Sequence, residues 1–188
     1  MNKFIKVVLA HILVYLPYGC TQKSDLSKKF NCAEKTFANL ETVTDFENKF
    51  SILIPKNWKT NLYYDTMQTS VYFADTTKQL TETTIIDITY VKQKSSFDDA
   101  FFKNIRSNYE KINLKEQSNH AFSLKNLPSY YSIVKGNRSR FPYTICNVFI
   151  NTNSTAFIHA KLEVYGDSLV NERLCRGISL LEDIHLTF

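Results

Sequence analysis

The feature that most constrains the fold is a series of four strand-like segments between two stretches of helical periodicity. The segments span residues 116–124, 129–135, 142–151 and 155–165, and the last three are rich in β-branched and aromatic residues, which favour strands. Turn-forming residues at 125–128 and 136–139 separate the first three. Strands joined by such short turns pair antiparallel. The series therefore predicts an antiparallel sheet.

The pattern of apolar residues predicts where two of these strands lie. In segment 142–151 both faces are apolar, since Ile145 and Phe149 alternate with Cys146, Val148 and Ile150. A strand that is apolar on both faces is typical of the centre of a sheet covered on both sides. In segment 155–165 one face is apolar and the other carries polar residues that include His159. We expect that face, with its histidine, to be solvated.

Helical periodicity brackets this series. Residues 96–113 carry apolar side chains at helical spacing: Phe97, Phe101, Ile105, Tyr109 and Ile112. That face is expected to pack on the core. A second helix follows residues 166–168, and further strands are predicted at 50–55, 61–65, 70–74 and 83–93. The order predicts an α+β fold in which helices pack on an antiparallel sheet of about six to seven strands.

One segment resembles a known family. Residues 50–58, FSILIPKNW, combine an aromatic residue, aliphatics, a proline and Trp58, as in the opening phrase of the PsbP-like fold, which the photosystem extrinsic protein shares with Ran-binding Mog proteins and bacterial lipoproteins of unknown role. The helix at 96–113 is similar in position to the family's first long helix. Residues 126–130 resemble the hairpin that follows, although Leu127 stands where the family has glycine.

The resemblance covers residues 46–188 and implies an α/β/α sandwich. This fold hosts unrelated activities, so the resemblance implies no particular function and carries no catalytic residue over to this chain.

The amino terminus indicates export. Lys3 and Lys6 precede an apolar run at 7–16 that is too short to span a bilayer, and this order is typical of a signal peptide. Gly19-Cys20 resembles the end of a bacterial lipobox, although Pro17 and Tyr18 depart from its pattern. We therefore predict a signal peptide at 1–19, lipid on Cys20, a tether at 20–45 and a domain at 46–188. The alternative is a secreted protein cut near Gly19.

This prediction places the protein in the cell envelope, anchored by lipid to a membrane and facing the periplasm or the exterior. Removal of the signal peptide takes away two lysines and lowers the formal charge from +5 to +3. The basic residues are spread along the chain, a distribution that does not favour nucleic-acid binding.

Three cysteines remain in the exported chain: Cys32, Cys146 and Cys175. An oxidising compartment permits one disulfide among them, with three possible pairings. We favour Cys146 with Cys175, because a central strand and a covering helix can bring them together. Three buried, unreactive thiols are the alternative. The spacing of the cysteines does not match a zinc site, and no metal or other cofactor is predicted.

The sequence carries no recognised catalytic motif, and we interpret the chain as a non-enzymatic domain with two partners. It binds the membrane through lipid on Cys20, and it binds a protein or another envelope component. A second hypothesis is a small-ligand binding module. Its cleft would use the tyrosine pairs Tyr63-Tyr64 and Tyr130-Tyr131, because tyrosine combines an apolar ring with a hydrogen-bonding hydroxyl. A third is a hydrolase whose site is not recognisable from one sequence.

Overall fold

A seven-stranded antiparallel sheet forms the centre of the molecule. The computed structural model describes residues 24–33, 37–153 and 155–187. In spatial order the sheet contains β3 (Lys59–Tyr64), β4 (Gln68–Ala74), β5 (Ile85–Val91), β9 (Ala156–Tyr165), β8 (Phe141–Asn153), β7 (Leu127–Arg138) and β6 (Leu114–Leu124). A second sheet has the order β1 (Leu40–Thr44), β2 (Phe50–Pro55) and β10 (His185–Leu186). The helices are α1 (Asp25–Lys29), α2 (Asp99–Glu110) and α3 (Val170–Glu182).

This arrangement confirms the predicted α+β class and the size of the main sheet. Strand β8 lies between β7 and β9, and both of its faces are buried, as its sequence indicates. On one face Cys146, Val148 and Ile150 belong to the main core. On the other, Ile145 packs in a smaller apolar cluster and Phe149 contacts aromatic rings that α2 brings to the sheet.

The main core lies between the large sheet, α1, α3 and the small sheet. Apolar side chains of β2, β5, β8, β9 and α3 meet there. Helix α3 approaches β9 closely at Gly177, where a Cβ atom would lie 3.1 Å from a Leu162 methyl group. Even an alanine at this position would require the Leu162 side chain to shift by a few tenths of an ångström.

Helix α2 covers the opposite face incompletely. Its N-cap is Asp98, whose carboxylate accepts a hydrogen bond from the Phe101 N–H at 2.9 Å. None of its residues is fully buried, which differs from the expected core face. Phe101 and Phe102 are half-buried, and Ile112 beyond the helix end is exposed.

The two hairpins differ from the predicted turns in one respect. Lys125 and Asn126 both have positive φ and form a two-residue connection between paired Leu124 and Leu127, so position 127 needs no glycine. The next hairpin reverses beyond Arg138, which pairs with Phe141. Residues 136–138, predicted as part of a turn, therefore continue β7.

The disulfide joins Cys32 to Cys175, and the predicted Cys146–Cys175 pairing is wrong. Cys146 lies in the middle of β8 as a fully buried free thiol. The outer side of α3 instead faces the chain after α1, where the Asn171 side chain donates a hydrogen bond to the Phe30 carbonyl at 2.9 Å. That contact brings Cys32 to Cys175.

The folded region begins before the predicted boundary at residue 46. Leu26 of α1 is fully buried in the main core, and β1 pairs along its length with β2. Both lie in the segment 20–45, which the sequence predicts to be a tether. In the polar helix Asp25–Lys29, Leu26 is the one apolar residue. A single apolar side chain does not indicate in the sequence that a segment packs on the core.

Candidate functional site

A cleft opens on the α2 face of the large sheet, beyond the end of the helix. Its volume is about 390 Å3. It is lined by side chains from the end of α2, from β6 to β9 and from the connecting residues: Tyr109, Ile112, Leu114, Asn137, Arg138, Tyr143, Ile145, Lys161 and Glu163.

The cleft exists because the chain turns sharply after α2. Asn113 has positive φ, and β6 begins directly after it at Leu114. At Gly136 of β7 a Cβ atom would lie 2.4 Å from the Asn113 carbonyl oxygen, so glycine permits this close approach. The helix therefore stops over the β6–β7 side, and the neighbouring parts of β8 and β9 line the cleft.

One wall of the cleft is apolar. Leu114, Tyr143 and Ile145 are buried and form one cluster on the sheet, against which Tyr109 packs. At the rim, Ile112 is 59% exposed. An apolar surface that is open to solvent at its rim can accept the apolar part of a ligand.

The other wall is charged. The Arg138 guanidinium lies 5.5 Å from the Tyr143 ring and 5.8 Å from the Tyr165 ring, and it donates a hydrogen bond of 3.3 Å to the Tyr143 hydroxyl. It also lies 3.8 Å from Glu163. Lys161 is 2.8 Å from Asp87 and 3.8 Å from Glu163. Two cations and two carboxylates thus alternate along this wall.

The surroundings fix the protonation of two of these groups. Burial, reinforced by Glu163, raises the pKa of Tyr143, so its phenol stays neutral. Burial alone would lower the pKa of Lys161, but its attraction to Asp87 and Glu163 outweighs that effect and the pKa is raised. Lys161 is therefore a fixed cation.

A partly buried polar cluster connects α2 to the sheet near the cleft. The Tyr109 hydroxyl donates a hydrogen bond of 2.5 Å to Asn147 Oδ1, and His159 Nε2 lies 3.0 Å from the same oxygen. The His159 ring stacks on Phe149 at 4.3 Å between centroids. The predicted solvated His159 is therefore wrong. Helix α2 packs over part of this face of the sheet. The alternation of residues within one strand does not show whether a helix lies over its polar face.

His159 makes stability depend on pH. Burial, with a smaller contribution from Lys161, lowers its pKa from 6.5 to about 3. The unfolded chain therefore binds a proton that the folded chain does not between pH 6.5 and about 3. The free energy of unfolding should fall in that window as pH decreases, by at most about 1.4 kcal/mol per pH unit from this group. His159→Gln should flatten the profile measured by urea unfolding from pH 7 to 4.

The matched control is His120→Gln, on an exposed position of β6. It removes a histidine without touching the contacts of His159 with Asn147 and Phe149, so a change that both variants share does not come from His159. Equal slopes for all three proteins would show that His159 titrates normally in the folded state.

The four tyrosines predicted to line a cleft do not meet. Tyr63 and Tyr64 lie on edge strand β3, and Tyr130 and Tyr131 lie on β7, with four strands between them. Tyr130 stacks on Phe102 at 3.7 Å between centroids, whereas Tyr131 is in the main core. The cleft has Tyr109 and Tyr143 instead, which the sequence assigns to a helix and to a central strand.

The predicted signal peptide and Cys20 lie outside the described residues. Within residues 24–33, 37–153 and 155–187, no helix has the length and apolarity that crossing a membrane requires. Over the same ranges, no three His, Cys, Asp or Glu side chains are placed to bind a metal ion together.

The fold is similar to solved structures although the sequences differ. The solution structure of cyanobacterial PsbP (CyanoP) from Synechocystis sp. PCC 6803 has a TM-score of 0.59 at 12% identity, covering 83% of this chain and 97% of that one. The Ran-binding protein Mog1p of Saccharomyces cerevisiae has a TM-score of 0.52 at 8% identity, and the match covers 79% of this chain and 95% of that one. A Bacteroides thetaiotaomicron protein has a TM-score of 0.53 at 13% identity, and the match covers 80% of this chain and 49% of that one.

No protein-family model and no curated protein matches the sequence. The likeness therefore shows a PsbP/Mog1-like fold and nothing finer.

Proposed function

We propose that this chain is an exported domain, held at a membrane by lipid on Cys20, that binds a protein or another envelope component without catalysing a reaction. The observation that carries the proposal is the Cys32–Cys175 disulfide, because such bonds persist outside the cytoplasm and are rare within it. The basic and apolar residues that precede Cys20 support the same location.

The state of the reactive side chains supports binding rather than catalysis. Burial raises the pKa of the Cys146 thiol to about 12, so it is not a thiolate nucleophile near neutral pH. His159 is a neutral ring held by Asn147, and its lowered pKa is far from the value that suits a general base. The similarity to Mog1p, itself a Ran-binding protein, agrees with a binding role for the fold.

The lipid anchor predicts a large effect of one substitution. In a bacterial host that processes lipoproteins, the wild type should partition with membranes, and Cys20→Ser should lose most of its membrane-bound fraction. Two or more acyl chains give stable anchoring, whereas an unlipidated chain has none. Membrane fractionation measures the partition, and mass spectrometry of the amino-terminal peptide identifies the lipid.

The control is Cys146→Ala, which removes another thiol and should stay membrane-bound. An unmodified amino terminus in the wild type, together with an unchanged partition of Cys20→Ser, would contradict the anchor.

The cleft supports a second candidate function, the binding of a small amphipathic ligand. The apolar part of the ligand would contact Ile112 and Ile145, and its polar or charged group would contact Arg138 and Glu163. We expect the native protein to bind the fluorescent aromatic sulfonate ANS at this site, and Ile112→Glu to weaken that binding about tenfold or more, because a carboxylate at the rim repels the anion. Fluorescence titration measures the affinity.

Ser107→Glu is the matched control, since it adds the same charge at an exposed position of α2 that does not line the cleft. Circular dichroism should show that both variants are folded. Equal affinities of the two variants, or no binding by the wild type, would contradict this candidate function.

A further inference from the structure

The chain is fixed to the folded domain from Ser24 onward. Ser24 caps α1, accepting a hydrogen bond from the Ser27 N–H at 3.0 Å. The hydroxyls of Ser24 and Ser27 both donate to the Glu182 carboxylate of α3. Leu26 is fully buried, and Cys32 is bonded to Cys175. This first helix is therefore a rigid part of the molecule.

Only three residues, at positions 21–23, separate Cys20 from Ser24. Fully extended, the four steps from Cys20 to Ser24 span at most about 14 Å. The polar layer on each side of a bilayer is about 5–7 Å thick. A lipid on Cys20 would therefore keep the start of α1 within roughly 10 Å of the headgroups.

The surface around this attachment point is basic. Lys28, Lys29 and Lys125 are exposed, and we call them the anchor-side lysines. A shallow groove joins α1 to the β6–β7 turn, with Ser24, Asp25 and Lys28 on one side and Lys125 on the other. Two acids lie beside them: Glu182 is hydrogen-bonded to Ser24 and Ser27, and Asp25 lies 3.5 Å from Lys28. Neither Lys29 nor Lys125 has a carboxylate within 4 Å in the described part of the chain.

We propose that the anchor-side lysines rest on anionic phospholipid headgroups and hold the domain in one orientation on the bilayer. The proposal rests on the lipid at Cys20 proposed above. At physiological salt, charges act over about 8 Å, which is comparable to the greatest separation that the short connection allows. Each lysine near an anionic surface strengthens the attraction roughly fivefold.

This orientation directs the cleft away from the membrane. Phe30, after α1, packs on Tyr131 in the main core, whereas α2 and the cleft lie on the opposite face of the sheet. Along β6, Leu114 lines the cleft and Leu124 precedes Lys125. The ten steps between them span about 33 Å in a strand. The cleft is thus open to the aqueous compartment while the opposite end contacts lipid.

The test is lysine acylation of the lipidated full chain in vesicles, read by mass spectrometry. In vesicles of phosphatidylglycerol with phosphatidylcholine, Lys28, Lys29 and Lys125 should be labelled roughly fivefold more slowly than in phosphatidylcholine alone. Lys103 and Lys111, exposed on the α2 side, are the internal controls and should be labelled equally in both.

Charge reversal sharpens the test. Lys29→Glu/Lys125→Glu should return the labelling of Lys28 to its rate in neutral vesicles, whereas Lys103→Glu/Lys111→Glu, with the same change in charge, should not. If Lys28, Lys29 and Lys125 are labelled at the same rate in anionic and neutral vesicles, as the control lysines are, and lipid on Cys20 is verified in the same spectra, the orientation alone is overturned. Absence of lipid in those spectra would overturn the proposed anchor instead.

Discussion

Replacing both Cys32 and Cys175 by alanine is expected to lower the free energy of unfolding by about 4 kcal/mol. The bond joins residues 143 positions apart, and closing so long a loop restricts the unfolded chain strongly; the chain-entropy model gives about 5 kcal/mol, of which measured proteins realise a part. The loss should also be structural. Without the bond, the segment at 24–33 is held by Leu26, by the contact of Phe30 with Tyr131 and by a few hydrogen bonds.

Urea unfolding measures the loss, and hydrogen exchange at residues 24–33 detects release of the segment. The control is Cys146→Ala, which removes a buried thiol but keeps the disulfide, and should cost about 1 kcal/mol. If the double variant unfolds at the same urea concentration as the wild type, the bond does not stabilise the domain.

The interior position of one strand and the core face of another can be predicted from local patterns. Segment 142–151 is apolar on both faces, and the structure places it inside the sheet as β8, between β7 and β9 and with both faces covered. The alternation in 155–165 gives the core face of β9 correctly, with Ile158, Ala160 and Leu162 inward. These predictions succeed because side chains in a strand alternate between faces whatever the strand packs against.

The candidate site could not be predicted in the same way. The predicted tyrosine cleft conflicts with strand geometry, since the adjacent residues Tyr130 and Tyr131 must point to opposite faces. The real cleft depends on where α2 stops and on the approach of Gly136 to Asn113, a contact between positions 23 residues apart. Its charged wall combines residues from β5, β7 and β9 whose proximity follows only from strand order and register.

Long-range polar contacts escape sequence patterns for the same reason. In the periodic pattern of α3, Arg173 is a polar residue that would be assigned to the solvated side, yet it is 1% exposed. Its burial is explained by hydrogen bonds to backbone carbonyls of two loops. One carbonyl belongs to Thr83, 90 positions before Arg173, and the others belong to Tyr165 and Ser168, 8 and 5 positions before it. Nothing in the helix itself signals these acceptors.

Arg173→Met is accordingly expected to destabilise the domain by about 3–5 kcal/mol. The guanidinium donates hydrogen bonds to the Thr83 carbonyl at 2.5 and 3.0 Å, to the Tyr165 and Ser168 carbonyls at 2.8 and 3.2 Å, and to that of Leu80 at 3.4 Å. Methionine keeps much of the volume but donates nothing, so these buried carbonyls lose their partner, at about 1–3 kcal/mol for each unsatisfied group.

The size of the effect separates hydrogen bonding from the cost of burying a charge. Burial lowers the pKa of Arg173, and replacing a buried ion by an apolar residue can by itself be stabilising. Urea unfolding of Arg173→Met, beside the control Arg176→Met one turn along the same helix, measures the balance. The control should lose less than about 1 kcal/mol, since its half-buried side chain makes no such contacts in the described structure. A neutral or stabilising Arg173→Met would mean that the two loops hold their positions without the guanidinium.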